Sequence, residues 1–247
     1  HPECPDRWRR ADALLRELAE TPGEALDFVA PTPIAADDLH LVHPAEHAET
    51  IRAFCAAGGG RIDDDTVACP ASYDVALLAA GGAVEGVRRV IDGPARQAAG
   101  LCRPPGHHAL AAETMGFCFF NNAALAARFA QARRGLGRVL IVDWDLHHGN
   151  GTEAIVYDDP TVMYLSTHQH PNWPGTGAPT DVGAGAGIGY TANVRLPMGA
   201  GDRAYQQAFT EVFRPLVAAF APELVIVSAG YDAHWRDPLG RMGLTVD

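Results

Sequence analysis

The chain has 247 residues, 47% of them hydrophobic, and a formal net charge of −11. A chain of this length and apolar content can bury a large core, which excludes a disordered protein. The acidic balance argues against direct nucleic acid binding and favours a cationic substrate, such as a lysine-rich peptide or a polyamine. Because no apolar run approaches the ~18 residues of a membrane span, we expect no membrane partner.

Five cysteines are spread along the chain without a Cys-x-x-Cys pair, namely Cys4, Cys55, Cys69, Cys102 and Cys118. Their odd number and wide spacing predict reduced thiols in a cytoplasmic protein, not a disulfide framework or a zinc finger. The chain opens on His1 without a signal peptide and stops at Asp247 without a closing element. We therefore expect residues 1–247 to be a single domain that is incomplete at both ends.

Hydrophobic patterning divides the chain into helices and strands. Helical periodicity predicts helices over residues 6–20, 45–57, 73–91, 122–134, 152–157 and from 202 onward. Pro22-Gly23 is expected to end the first helix, Ser72 to cap the third, and Asn121 and Asn122 to cap the fourth. Apolar runs rich in β-branched residues predict strands over residues 100–103, 138–145, 162–168, 190–196 and 223–229.

Strands that alternate with helices predict the α/β class, with a mostly parallel sheet and helices on both faces. The helix that begins at Asp202 fits this arrangement, because its apolar residues recur at helical spacing and form a core-facing stripe. The stripe comprises Tyr205, Ala208, Phe209, Val212, Phe213, Leu216 and Val217. The loop over residues 169–189 is rich in glycine and proline, and a loop of that length is typically functional.

The stretch from Ile141 to Gly151 concentrates metal-competent side chains directly after an apolar run that reads as a buried parallel strand. Asp145 and His147 are two residues apart, so they project to the same side of an extended chain. A carboxylate oxygen and an imidazole nitrogen in that arrangement suit Zn²⁺ or a similar divalent ion. An acidic strand end that caps the next helix would explain one aspartate, but not the whole cluster.

Polar residues follow three of the predicted strands, and we expect them to meet at the sheet edge where open α/β sheets bind ligands. Asp145, His147 and Asp232 then offer two oxygens and one nitrogen. Three protein ligands with an open fourth position are typical of catalytic zinc. His107 and His108 are candidates for the general base and acid. A turn with one hydrogen-bonded imidazole is the simpler explanation of adjacent histidines, but it is less favoured beside a metal site.

Several motifs, in this order, resemble the zinc-dependent histone deacetylase family. Its bacterial members, including acetylpolyamine amidohydrolases and acetoin-utilisation proteins, are similar too. The resemblance runs from His1–Pro5 to Asp237–Gly240, and Asn150 resembles the class II branch of the family. It rests on RPPGHHA at 103–109, GFC at 116–118, Asn121-Asn122, residues 143–152, PGTG at 174–177 and SAGYD at 228–232.

The resemblance implies an arginase-like α/β fold and a zinc-dependent deacetylase, which hydrolyses a linear N-acyl amide on a lysine side chain or a small amine. Asp145, His147 and Asp232 match the family's zinc ligands, and His107 and His108 match its proton-handling histidines.

The residues that orient these histidines differ from each other. Asp143 matches the family's acid beside the first histidine. Asn150 stands where an acid would orient the second, so His108 is expected to be neutral and to act as a base.

Further features follow from the same resemblance. A structural K⁺ near the zinc would be held by Asp143, Asp145, His147, Ser166 and Thr167, partly through backbone oxygens. A second, more distal K⁺ would use oxygens of Val156, Asp159, Val162 and Tyr190. The substrate tunnel matches Gly116, Phe117, Trp173 and Leu239. Leu239 stands where polyamine-selective members carry an acid, which predicts a preference for acyl-lysine.

Two departures keep other functions open. No residue matches the family's transition-state tyrosine, and only Asp65 is a candidate for the acid that holds the substrate backbone. The alternatives are therefore an acyl-lysine-binding protein without catalysis and an acetylpolyamine amidohydrolase. An arginase-like di-manganese hydrolase would need a second Asp-x-Asp pair near Asp232. The expected partner is an acyl-lysine peptide or protein or a small N-acyl amine, and a homo-oligomer is also open.

Overall fold

The computed structural model describes residues 4–21 and 26–246. The predicted helix end at Pro22-Gly23 lies outside the described residues, as do the first three residues of the His1–Pro5 motif and Asp247. Within the described ranges, no helix is both long and apolar enough to cross a bilayer. The expectation of a single, incomplete domain stays a prediction.

The first elements in the chain are mostly helical: α1 (Pro5–Ala19), α2 (Ala36–Leu39), α3 (Ala45–Ala56) and α4 (Ser72–Ile91). A small antiparallel pair, β1 (Gly60–Arg61) and β2 (Val67–Ala68), flanks the acidic loop between them and was not predicted. Ser72 begins α4, but its hydroxyl accepts a hydrogen bond from the Cys69 N–H at 2.9 Å and does not cap the helix.

The central sheet has four strands: β3 (Val139–Asp143), β4 (Val162–Gln169), β5 (Thr191–Leu196) and β6 (Leu224–Ser228). They are parallel throughout and lie in the order β5-β4-β3-β6. Every residue of β3 and β4 is buried, which explains why their sequences are continuously apolar. The predicted α/β class with a parallel sheet is therefore confirmed.

Helices cover the two faces of this sheet. α5 (Asn122–Arg134) begins where the Asn121 side chain accepts a hydrogen bond from the Ala124 N–H at 3.0 Å. Together with α4 it packs against Ile141 and Tyr164 on one face. The opposite face is covered by the helical segment from residue 202 onward. The short α6 (Asn150–Val156) follows the central strand and begins two residues earlier than predicted.

The helical segment over residues 202–220 differs at one position from the core-facing apolar stripe that the sequence predicts. It consists of α7 (Asp202–Gln207), a π-helical turn (Ala208–Phe213) and α8 (Arg214–Phe220). Pro215 lacks the N–H that a regular α-helix would bond to the carbonyl four residues earlier, which accounts for the change of helix type. The wider turn rotates Val212 outward to 37% exposure, whereas Phe213 stays buried at 2%. Val212 is therefore not a core residue.

The strand predicted over residues 100–103 is absent from the described structure, where this segment is irregular. Its polar groups bond to helices, not to a strand. The Leu101 carbonyl accepts a hydrogen bond from the Trp8 indole at 3.0 Å, and the Cys102 thiol donates to the Ala79 carbonyl at 3.3 Å. The segment thus packs along α1 and α4 before it reaches the tandem histidines.

Candidate active site

The carboxyl ends of β3 and β6 bring the predicted metal ligands together. The chain leaves β3 through Asp145 and His147, and Asp232 follows β6. The ligand atoms of these three residues lie within 4.8 Å of one another. Gly230 permits this approach, because a Cβ there would collide with the Asp145 carboxylate. Two carboxylates and one imidazole form a donor set that fits Zn²⁺.

His147 lies at the centre of this donor set. Its Nδ1 is 3.1 Å from Asp145 Oδ1 and 2.9 Å from Asp232 Oδ2. Burial opposes a charge on the ring, but the hydrogen bonds to both carboxylates outweigh burial and raise the pKa of His147 to about 10. Burial and the charge of Asp145 raise the pKa of Asp232. The two carboxylates around His147 Nδ1 therefore create a negative environment that favours a positive charge.

His107 is held by a buried carboxylate. Its Nδ1 donates to Asp143 Oδ2 at 2.9 Å, and the Tyr164 hydroxyl donates to the same oxygen at 3.2 Å. The other ring nitrogen, Nε2, therefore faces the metal ligands and lies 3.9 Å from Asp145 Oδ1. Burial lowers the pKa of His107, but the charges of Asp143 and Asp145 outweigh it and raise the pKa to about 9.

His108 contacts an amide instead of an acid. Its Nδ1 donates to Asn150 Oδ1 at 2.8 Å, and Asn150 Nδ2 in turn donates to Met115 Sδ at 3.4 Å. Because Nδ1 carries the proton, Nε2 of the neutral ring keeps a lone pair. Burial, and then the charge of His107, lowers the pKa of His108 well below its usual value. The two rings, with centroids 3.8 Å apart, thus favour opposite protonation states.

Of the predicted tunnel residues, Trp173 and Gly116 contact His108. The Trp173 ring lies edge-on to His108, with a centroid distance of 4.6 Å, and is 41% exposed. Gly116 permits this contact, because its φ is +57° and a Cβ there would collide with both rings. Phe117 follows it with a φ of +67°. Leu239 is 37% exposed, on the segment after Asp232. The assignment of a tunnel stays a prediction.

The residues predicted for potassium lie near the same strand ends. Ser166 Oγ hydrogen-bonds to His168 Nδ1 at 3.0 Å, whereas Thr167 Oγ1 is buried with no hydrogen-bond partner among the described residues. In the distal set, the Asp159 carboxylate already pairs with Arg128, and the Tyr190 carbonyl accepts from the Tyr164 N–H at 2.9 Å. Both potassium sites stay predictions.

The structure adds contacts that the sequence did not indicate. Tyr164 was assigned only to a strand, yet its hydroxyl supports Asp143. The period-two alternation of β4 could have placed this side chain on one face of the sheet, but not its partner. The sequence pattern did not single out Met115 or Arg195. Their hydrogen bonds join segments that are distant in the chain, so no local sequence pattern indicates them.

The family's transition-state tyrosine has no match in the sequence. Among the described residues, no tyrosine hydroxyl is in hydrogen-bond contact with Asp145, His147 or Asp232. Tyr205 belongs to the same hydrophobic cluster as Leu146, and its buried hydroxyl has no hydrogen-bond partner among the described residues. Burial, and then the charges of Asp232 and Asp145, raises the pKa of Tyr205. Tyr231 is 73% exposed.

The candidate substrate acid, Asp65, lies in the acidic loop next to one tunnel residue. The neighbouring Thr66 hydroxyl accepts a hydrogen bond from the Phe117 N–H at 3.0 Å. Burial and the adjacent Asp63 raise the pKa of Asp65. The acidic loop is thus bonded to the backbone of Phe117, and the role of Asp65 stays a prediction.

Comparisons with known proteins agree with this geometry. A family model described as histone deacetylase domain matches residues 1–247. The histone deacetylase-like amidohydrolase of Pseudomonas aeruginosa is 42% identical over an alignment of 248 positions, which covers 100% of this chain and 65% of that protein. A protein of Archaeoglobus fulgidus named "Probable deacetylase" is 39% identical. The match covers 99% of this chain and 68% of that protein.

A solved structure is similar over the same range. The crystal structure of the HDA15 HD domain superimposes with a TM-score of 0.93 at 41% sequence identity. The match covers 99% of this chain and 70% of that one. The chain therefore spans about two thirds of the length of these relatives.

Proposed function

The chain belongs to the histone deacetylase family, and we propose that it is a zinc-dependent deacetylase that hydrolyses an N-acyl amide on a lysine side chain or small amine. The observation that carries this proposal is the convergence of Asp145, His147 and Asp232 beside two histidines with different partners. The relatives named deacetylase or amidohydrolase support the reaction class.

We propose Asp145, His147 and Asp232 as the zinc ligands, because their donor set and spacing suit that ion and leave a coordination position open. When bound there, zinc would polarise an amide carbonyl and lower the pKa of a bound water to about 7. We also propose a structural K⁺ at the ends of β3 and β4. The buried Thr167 Oγ1, which has no hydrogen-bond partner among the described residues, supports that site.

The two histidines divide the proton transfers. His108, whose Nδ1–H donates to Asn150, presents a lone pair on Nε2 and takes a proton from the attacking water. His107, oriented by Asp143, holds a proton on the side of the metal ligands. The leaving amine receives its proton from this pair.

The proposed substrate is an acyl-lysine side chain in a peptide. Trp173 offers an apolar wall next to His108, and Phe117, which follows Gly116 in the chain, is proposed as the second wall for a linear alkyl chain. Leu239 gives no partner to a second ammonium group, which would lose hydration without compensation. Acyl-lysine peptides are therefore expected to exceed acetylpolyamines in kcat/KM, and Leu239→Glu should move the ratio toward polyamines.

A second candidate is an acyl-lysine-binding protein without catalysis, because no tyrosine hydroxyl among the described residues contacts the metal ligands. Loss of one donor to a developing oxyanion typically costs about 10²–10³ in kcat. If this candidate is right, residues 1–247 bind zinc and a hydroxamate. They would then turn over a fluorogenic acetyl-lysine peptide at least that much more slowly than the Pseudomonas relative. Comparable kcat values would exclude it.

Zinc analysis of Asp232→Ala tests the proposed metal site. The matched control is Asp237→Ala. Asp237 lies in the same segment, and its carboxylate accepts a hydrogen bond from the Leu239 N–H at 2.9 Å. We expect zinc affinity to fall by more than the roughly 10–100-fold that loss of an outer-shell partner costs. Asp237→Ala should keep its zinc. Full retention of zinc by Asp232→Ala would remove this residue from the ligand set.

A further inference from the structure

The Trp173 side chain lies beside the candidate active site and is held there on one side only, because the rest of it is exposed. The indole is 41% exposed, and its ring contacts are the edges of His108 and His147, at centroid distances of 4.6 and 6.0 Å. It lies in the middle of the loop over residues 170–177. The backbone of this loop must therefore determine where the ring is.

One guanidinium on β5 spans the two ends of that loop. Arg195 Nε donates to the Gly177 carbonyl at 2.8 Å, and Nη2 donates to the Thr176 carbonyl at 3.1 Å. Its third nitrogen, Nη1, lies 3.5 Å from His170 Nε2. The planar fork of arginine suits such an arrangement, because several donors are fixed relative to one another.

Other contacts anchor the ends of the loop, whereas in its middle the Trp173 N–H donates to the neighbouring Asn172 Oδ1 at 2.9 Å, a bond within the loop itself. At the far end, His148 Nδ1 is 2.7 Å from Thr176 Oγ1, and His168 Nε2 donates to the Gly177 carbonyl at 3.1 Å. At the near end, the His170 N–H donates to the Leu196 carbonyl at 2.8 Å. Arg195 is placed to fix the distance between these two anchored ends, and the loop between them carries Trp173.

We propose that Arg195 is a positioning residue that holds Trp173 against His108 and so sets how tightly the site grips a linear acyl chain. The effect on ligands rests on the proposed deacetylase function, whereas the effect on Trp173 does not. Arg195 itself touches neither histidine of the tandem pair in the described structure. Its influence should therefore depend on the length of the ligand and on the presence of the indole.

Fluorine NMR of protein labelled with 5-fluorotryptophan tests the structural step without any metal. The chain has four tryptophans, Trp8, Trp144, Trp173 and Trp235, and Trp173→Phe assigns the relevant resonance. In Arg195→Met we expect that resonance to shift and broaden while the other three stay in place. Arg195→Lys should restore it in part and also serves if Arg195→Met folds poorly. Arg203→Met, at an exposed arginine of α7, is the matched control. An unchanged Trp173 resonance in Arg195→Met would overturn the proposal.

Binding of two hydroxamates to the zinc-loaded protein tests the functional step. Acetohydroxamate reaches only the metal, whereas a hydroxamate on a linear six-carbon chain also contacts the walls. We expect Arg195→Met to raise the Kd of the long ligand by about tenfold and to leave the Kd of the short ligand nearly unchanged. In the Trp173→Ala background the difference should vanish. An equal loss for both ligands, or a loss that persists without the indole, would contradict a role through Trp173. If the wild-type chain binds neither ligand, the proposed function fails, and the fluorine spectrum still decides on Arg195.

Discussion

At the scale of single residues, His107 and His108 show how the surroundings of an imidazole ring determine its protonation state. His107 and His108 are adjacent in the chain and both buried, yet the first bonds to a carboxylate and the second to an amide. Burial disfavours the charged form of both rings. For His107 the charges of Asp143 and Asp145 outweigh burial, whereas for His108 the neutral amide of Asn150 does not, and the charge of His107 adds to the effect of burial. The pKa of His107 is raised to about 9, and that of His108 falls well below its usual value.

Asn150→Asp should therefore reverse the charge preference of His108. A carboxylate at 2.8 Å from Nδ1 would stabilise the imidazolium and raise its pKa. The measurement is an NMR titration of the His108 ring carbons in wild type and variant, with Asn150→Ser as the neutral control. We expect a raised pKa in the aspartate variant alone. A pKa that stays low in Asn150→Asp would show that burial, not the partner, sets the protonation state.

His43 should link the stability of the fold to pH. Its Nδ1 donates to the Ala111 carbonyl and its Nε2 accepts from the Asn121 N–H, so the neutral ring fits and a second proton does not. Burial lowers its pKa to about 4. Below about pH 6.5 the unfolded chain takes up a proton that the folded chain refuses. Stability present above pH 6.5 is thus lost as the pH falls toward 4, by on the order of 3 kcal/mol.

Urea unfolding between pH 7 and 4.5 measures this dependence. In His43→Leu the slope of the unfolding free energy with pH should decrease by roughly 1.4 kcal/mol per pH unit, which corresponds to one proton. His40→Leu, three residues earlier and exposed, is the control and should keep the wild-type slope. Equal slopes in all three proteins would mean that His43 is protonated without cost.

At the scale of elements, a π-helical turn separates two neighbouring side chains that the periodic pattern treats alike. Val212 is 37% exposed and Phe213 is 2% exposed. Phe213→Ala should cost about 3–5 kcal/mol of unfolding free energy, because it leaves a cavity against Leu140 and Leu165. Val212→Ala should cost less than about 0.5 kcal/mol. Denaturant unfolding of the pair checks this, and a similar loss at both positions would favour a regular α-helix.

The elements also show which parts of the fold sequence patterning can predict. β3 and β4 were predictable because burial on both faces requires a continuous apolar run. The strand expected at residues 100–103 was wrong, since a short apolar run does not reveal whether its backbone bonds to a strand or to groups such as the Trp8 indole. The outward turn of Val212 depends on Pro215, whose effect on helix type is not visible in the apolar spacing.

The candidate site divides in the same way. Asp145, His147 and Asp232 were predictable because metal-competent side chains directly follow core strands, and the parallel sheet brings those strand ends together. Met115 and Arg195 were not, because their roles depend on tertiary contacts with Asn150 and with the 170–177 loop. An ordinary methionine or arginine in a sequence gives no sign of such a contact.

At the scale of the whole molecule, the proposed metal ligands lie on segments that leave two neighbouring strands. Asp145 and His147 follow β3 and Asp232 follows β6, and these strands pair in parallel register from Val139 to Asp143. β6 has no other strand partner among the described residues, and its Val225 and Val227 are 51% and 41% exposed. A bound cation would thus link the most exposed strand of the sheet to a fully buried one.

Zinc should therefore raise the thermal stability of the chain. A ligand that binds only the folded state stabilises it by about 2.7 kcal/mol at one hundred times its dissociation constant. For a chain of this size that corresponds to a rise in Tm of roughly 5–10 °C. Calorimetry with and without a chelator, at a fixed excess of zinc, measures the shift. Asp232→Ala should lose most of it and Asp237→Ala should keep it. If zinc left the Tm of the wild type unchanged, the three residues would not form a site that exists only in the folded chain.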